Sequence, residues 1–171
     1  MKRIQVPVQP AFKVVISILA IGALLGLAAC AGKASAAPVN PTWITPQVNG
    51  DTVSMPLSAV SGGKIVHFRV PVAAGGEMYF MAYELNGKQY VRGDACVPCR
   101  STSFSLAGDK LICGSCRTVF SAATGAGVSG VTACQGYPKA AAPFTTANGQ
   151  LTMTASDLQT AWADTLQPGL P

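Results

Sequence analysis

The sequence predicts a mainly β domain of the α+β kind, in which small antiparallel hairpins carry a zinc-ribbon-like cysteine-knuckle site and one helix follows at the C-terminal end. Three observations lead to that reading. Short runs rich in β-branched and aromatic residues recur between Gly, Pro and Asn positions, the pattern of strands and turns. Cys96-Val-Pro-Cys99 and Cys113-Gly-Ser-Cys116 are separated by thirteen residues, near the spacing of about 15–20 at which a hairpin brings two C-x-x-C turns round one centre. A helix start signal stands at Ser156, with Asp157 in the first turn and Pro168-Gly169 as a stop.

The chain opens with Lys2, Arg3 and Lys13, followed by an uncharged stretch over residues 14–32. That order is the pattern of an export signal. Leu27-Ala28-Ala29-Cys30 resembles a bacterial lipobox, so residues 1–29 are expected to be a lipoprotein signal peptide and Cys30 the lipidated first residue. A plain secretory signal cut after Ala36, or an uncleaved anchor, fits the same apolar run. Each of these exports the rest of the chain, so the expected location is the cell membrane, lipid-anchored and extracytoplasmic. Residues 30–48, small and then proline-bearing (Pro38, Pro41, Pro46), read as a flexible tether. Residues 49–171 form one domain.

Within that domain, 52–57 alternates as a strand, and Pro56 implies a sheet edge. A second strand covers 64–70. Residues 78–85 and 88–92 flank Asn86-Gly87, the strongest short hairpin signal in the chain. On the first arm, Tyr79, Met81, Tyr83 and Leu85 share the face expected to enter the core. Residues 101–106 and 111–112 form a second hairpin around Ala107-Gly108-Asp109 that leads into Cys113. The Gly- and Ser-rich stretch 125–136 reads as a loop over the site, and 150–154 as a last strand.

Charge excludes some functions. The formal net charge is +5, and Lys2, Arg3 and Lys13 account for three of it, leaving +2 on residues 30–171. No basic stripe with interleaved aromatics is present, so nucleic acid is not an expected partner. The acidic residues are scattered without an acid and base pair, and neither C-x-x-C is followed by His, so no enzyme motif or c-type haem attachment emerges.

The chemistry therefore rests on Cys96, Cys99, Cys113, Cys116 and Cys134 as candidate metal ligands. Four thiolates suit an iron–sulfur cluster, a mononuclear iron or zinc, and copper(I) also favours sulfur. Exported thiols can instead pair as disulfides or act as a redox dithiol, although a disulfide within one C-x-x-C closes a very small loop and stabilises little. Cys134 is a fifth ligand, a substitute for one of the four, or a free buried thiol. Four thiolates on a divalent ion leave a charge near −2, and Arg92, Arg100 and Arg117, adjacent in sequence, are candidates to offset it or to form a docking rim. His67, the lone histidine, reads as a core or surface residue. Met78 and Met81 are expected on opposite strand faces, and Asp94 is expected to cap the first knuckle.

The combination resembles the membrane iron-sulfur containing, FtrD-like domain family of exported bacterial proteins. The resemblance lies in Val53-Ser-Met-Pro-Leu-Ser58, residues 64–68, Gly93-Asp-Ala-Cys96-x-x-Cys99, Ala107-Gly-Asp-Lys-Leu-Ile-Cys113-x-x-Cys116, Cys134, and Leu151-Thr-Met-Thr-Ala-Ser-Asp-Leu158. It implies a metal or iron–sulfur centre held by the cysteines, serving membrane electron transfer or metal uptake beside a membrane permease or redox partner protein. Two positions depart from the family pattern. Arg117 stands where the family has Gly, and the run Thr132-Ala-Cys134-Gln-Gly-Tyr-Pro138 replaces a Gly-Gly-Cys-x-Pro run. A side chain at a position needing positive φ costs about 1 kcal/mol relative to Gly, so looser knuckles are expected.

Overall fold

A computed structural model describes residues 37–72 and 75–169. The signal segment and Cys30 lie outside the described residues. The fold is mainly β, as expected, with twelve strands in three four-stranded sheets among the described residues. The strands are β1 Thr42–Trp43, β2 Gln47–Asn49, β3 Thr52–Pro56, β4 Ile65–Pro71, β5 Glu77–Leu85, β6 Lys88–Gly93, β7 Phe104–Ala107, β8 Lys110–Cys113, β9 Val119–Ser121, β10 Gly127–Ser129, β11 Thr145–Ala147 and β12 Gln150–Thr154. A short helix, α1 (Thr132–Gln135), precedes β11, and α2 (Ala155–Thr165) follows β12.

The middle sheet, ordered β1-β4-β5-β6, organises the rest. Its central strands are buried on both faces, and the strand period of two divides their side chains between two cores. Val66, Phe68, Val70, Met78, Phe80 and Ala82 face one core, shared with Val53 and Met55 of β3, Leu151 and Met153 of β12, and Leu158 and Ala161 of α2. Ile65, Met81 and Tyr83 face the other, shared with Phe104, Leu111, Phe120 and the cysteines. The strand expected to bury one face therefore buries both. Met78 and Met81 fall on opposite sides, as the alternation requires. Asn86 (φ 52°) and Gly87 (φ 76°) supply the two left-handed residues of the β5–β6 turn.

The N-terminal part of the domain departs from expectation. Residues 39–48, read as tether, are built into the fold. Val39 bridges Leu106, β1 runs parallel to β4 with Trp43 opposite His67, and β2 adds to the outer sheet beside β3. Parallel pairing joins segments far apart in sequence, so no local hairpin signal marks it. The outer sheet is ordered β11-β12-β3-β2, which puts β3 inside it rather than at an edge. Pro56 is accommodated because β2 reaches only Thr52, Val53 and Ser54, leaving Pro56 beyond its partner on that side. The helix cap also moves by two residues: Thr154 Oγ1 accepts the Asp157 N–H at 3.0 Å, so Thr154 rather than Ser156 is the N-cap. The glycine-rich stretch 125–136 holds β10 and α1 as well as loop.

Candidate metal centre

The third sheet, ordered β10-β9-β8-β7, and the segment after β6 present two cysteine knuckles of the same construction. In the first, the Cys96 N–H donates to the Ser101 carbonyl at 2.8 Å; in the second, the Cys113 N–H donates to the Thr118 carbonyl at 3.0 Å. Each closes over a left-handed residue five positions into the turn, Arg100 at φ 58° and Arg117 at φ 61°. The expected loosening does not occur. Both arginines take the strained conformation that glycine would adopt freely, because the closing hydrogen bonds fix the turn around them.

The knuckles bring their sulfurs together across the gap between them. Cys96 Sγ lies 3.8 Å from Cys116 Sγ, and Cys99 Sγ lies 3.6 Å from Cys113 Sγ. Cys134, carried on α1, adds a fifth sulfur, and those of Cys96, Cys99, Cys116 and Cys134 all lie within 4.8 Å of one another. The five cysteines among the described residues are all unpaired thiols. A tetrahedral ion with metal–sulfur bonds of about 2.3 Å spaces its sulfurs about 3.8 Å apart, so the donor set fits a thiolate-bound metal. Cys96, Cys113 and Cys134 are buried, while Cys99 and Cys116 are partly exposed.

The environment splits the thiols. Burial pushes Cys96 and Cys113 up, with sulfur neighbours adding to the effect at Cys96. Burial alone would raise Cys116 too, but hydrogen bonds from the Thr118 hydroxyl and backbone, then from Cys113 and Cys99, outweigh it and bring Cys116 down to about 6. Thr118 Oγ1 stands 3.1 Å from that sulfur and accepts the Val131 N–H at 3.1 Å, tying the second knuckle to the segment that carries Cys134. In the metal-free, reduced protein, Cys116 is expected to ionise at neutral pH and to be alkylated ahead of the buried Cys96 and Cys113. Its rate should rise with pH through a midpoint near 6, measured by mass spectrometry after timed iodoacetamide treatment. A midpoint above 8 would contradict this assignment.

The family model for the membrane iron-sulfur containing protein FtrD-like matches residues 60–164. The chain belongs to this family. Among solved structures, a chain of the complex of reduced oxygenase and oxidized ferredoxin in carbazole 1,9a-dioxygenase is remotely similar, at 19% identity and a TM-score of 0.49, over 63% of this chain and 95% of that one. Sphingomonas yanoikuyae B1 ferredoxin is similarly remote, at 22% identity and a TM-score of 0.44, over 58% of this chain and 92% of that one. No curated protein matches.

The charged residues around the FtrD-like site are arranged differently from the sequence expectation. Arg92 is buried, and its guanidinium donates to the carbonyls of Thr124 (3.0 Å) and Lys139 (2.8 Å), to Ala122 and Ala123, and to the Tyr83 hydroxyl. It holds the 122–125 turn to residue 139 and is not free to face sulfur. Gly125 fits beneath it because it has no side chain: a Cβ there would meet Arg92 Nη1 and the Lys139 carbonyl, at φ +82°. Arg100 and Arg117 are exposed, so they edge the accessible sulfurs rather than the buried ones.

Asp94 does not cap the knuckle. Its carboxylate is fully buried, with Oδ2 2.7 Å from His67 Nδ1. His67 Nε2 lies 3.1 Å from the Phe104 carbonyl, which only accepts, so Nε2 carries a hydrogen. His67 is thus a buried core residue that bridges the middle sheet to β7 and, through its contact with Asp94, to the approach to Cys96, with Nδ1 outside any well-formed hydrogen bond. Neither Asp94 oxygen has a well-formed hydrogen bond, so the pairing with His67 is what offsets its burial.

Sequence reasoning also missed Lys139. It is fully buried, and its Nζ donates to the carbonyl of Ala95, next to Cys96. It follows Tyr137-Pro138 in a segment without charge pattern or periodicity, so nothing local marks it.

Proposed function

We propose that this FtrD-like domain is a membrane-anchored, extracytoplasmic electron-transfer protein whose cysteines hold an iron–sulfur centre. The observation that carries the reading is the convergence of five unpaired sulfurs, three buried and two at the surface. Cys96, Cys99, Cys116 and Cys134 are the sulfurs that would hold the centre, with Cys113 beside Cys99. Such a group, when bound, supplies one-electron chemistry.

The chain's own residues supply the setting. The β5 face and Phe104, Leu111 and Phe120 exclude water from the inner sulfurs. Thr118 and the two closing knuckle bonds hold the sulfur positions. Cys99 and Cys116 form the accessible edge through which a partner would exchange electrons, and Arg100 and Arg117 give that edge positive charge suited to an acidic partner surface. A membrane permease or another redox protein is the proposed class of partner, in the service of electron transfer or metal uptake.

Voltammetry of the anaerobically purified chain tests the redox role. A reversible one-electron wave is expected, whereas bound metal with no wave would indicate a structural centre. The anchor is tested separately: Cys30→Ser should shift the protein from the membrane fraction to the soluble exported fraction. Among the described residues no helix is long and apolar enough to cross a membrane.

A further inference from the structure

The thiolate site needs a positive charge inside the protein, and the arginines adjacent in sequence do not provide it. Arg92 is committed to carbonyls, and Arg100 and Arg117 are exposed. The buried lysine packed against the core that holds the sulfurs is Lys139. Its Nζ sits 4.5 Å from the Phe120 ring centroid and 5.4 Å from that of Phe104, and bonds the carbonyl immediately before Cys96. Among the described residues its Nζ makes no ion pair with a carboxylate.

An ammonium held by one carbonyl and two aromatic faces is poorly compensated for the water it has lost. Burial pulls Lys139 down, while the charges of Cys96, Cys113, Asp94 and Cys134 push it back up. The negative charge that completes its environment is therefore that of the sulfurs, together with the buried Asp94 carboxylate that His67 pairs. Four thiolates with a divalent ion carry about −2, which the same low-dielectric setting penalises unless a cation is near. Each group is thus costly alone, and each relieves the other.

We propose that Lys139 is the built-in counter-ion of the cysteine centre, favouring the metal-loaded, negatively charged state over the metal-free thiol state. The proposal rests on the thiolate-centre reading and adds a positioning residue to it. A carbonyl hydrogen bond alone would make Lys139 equally important with and without metal, whereas a counter-ion role makes its effect opposite in the two states.

The test uses the full chain, reduced and metal-free, titrated with cobalt(II) and followed by sulfur-to-cobalt charge-transfer absorption. Wild type is compared with Lys139→Met and with Lys139→Gln, which keeps a donor for the Ala95 carbonyl but no charge. Both variants are expected to bind cobalt about 10-fold or more weakly, the range seen when an outer partner of a metal site is lost. Urea unfolding of the metal-free proteins should find the variants at least as stable as wild type, because the uncompensated ammonium is gone. Unchanged cobalt affinity in both variants, rescue by Lys139→Gln, or equal destabilisation with and without metal would overturn the counter-ion role. Absence of thiolate bands in wild type would instead overturn the thiolate centre on which it rests.

Discussion

Replacing Cys99 or Cys116 by serine is expected to strip the centre from the protein. These two sulfurs are the partly exposed members of the set, and each pairs across the gap with a buried sulfur of the other knuckle, at 3.6 and 3.8 Å. Loss of an outer-sphere partner typically weakens metal binding about 10–100-fold, and loss of a thiolate donor should exceed that. Iron per chain after anaerobic purification should fall to background in both variants and in Cys96→Ser. Cys134→Ser should follow them, because Cys134 completes the group whose sulfurs all lie within 4.8 Å. The effect of Cys113→Ser then shows how far that sulfur shares the centre. The fold should survive in Cys99→Ser and Cys116→Ser, since neither position is deep in the core. Retention of full iron in either variant would mean that its sulfur is not a donor.

Arg92→Met is expected to be the most damaging substitution away from the sulfurs. Met matches much of the length of the arginine stem but removes the guanidinium donors from the carbonyls of Ala123, Thr124 and Lys139, while the Ala122 carbonyl keeps the Tyr83 hydroxyl. A buried acceptor left without a partner costs about 1–3 kcal/mol. Even with partial relaxation, the loss should be about 3 kcal/mol or more, a fall in Tm on the order of 10 °C for a domain of this size. Thermal unfolding of the metal-free form measures it without interference from metal binding. Arg92→Lys should recover only part of the loss, because one ammonium cannot span acceptors arranged around a planar fork. A change within 1 kcal/mol for Arg92→Met would show that water replaces the guanidinium and that the 122–125 turn does not depend on it.

What the sequence disclosed follows the range of the interactions involved. Asn86-Gly87 marked its hairpin because a two-residue turn with both φ positive has a local composition. The C-x-x-C pairs marked the site because each knuckle is a local turn with its ligands inside it. The strand 150–154 and the C-terminal helix were visible for the same reason. Hidden features were those assembled across distance. β1 joins β4 in parallel over more than twenty residues, so the segment around Pro41 and Pro46 resembled a tether. The His67–Asp94 pair joins β4 to the segment after β6, and neither residue is unusual where it stands. Lys139 reaches the site from 44 residues beyond Ala95.

The arginines show the same limit from the other side. Sequence adjacency placed Arg92, Arg100 and Arg117 beside the sulfurs, but adjacency in a strand or turn does not fix direction. Successive strand residues point to opposite faces, and Arg92 points to the 122–125 turn. Arg100 and Arg117 sit at the apex of their knuckles, where a left-handed backbone turns the side chain out to solvent. The departure from glycine at Arg117 was legible as backbone strain. That the knuckle would hold its shape regardless was not, because the closing bond from Cys113 to Thr118 is visible only in the fold.

The most direct test of the central claim is the content of iron and acid-labile sulfide per chain, with the visible absorption spectrum, on anaerobically purified protein spanning residues 37–171. Iron and sulfide in comparable amounts, with charge-transfer bands that disappear in Cys99→Ser and Cys116→Ser, is the predicted result. A colourless protein with one zinc, or a metal-free protein whose mass shows its cysteines joined as disulfides, would contradict it.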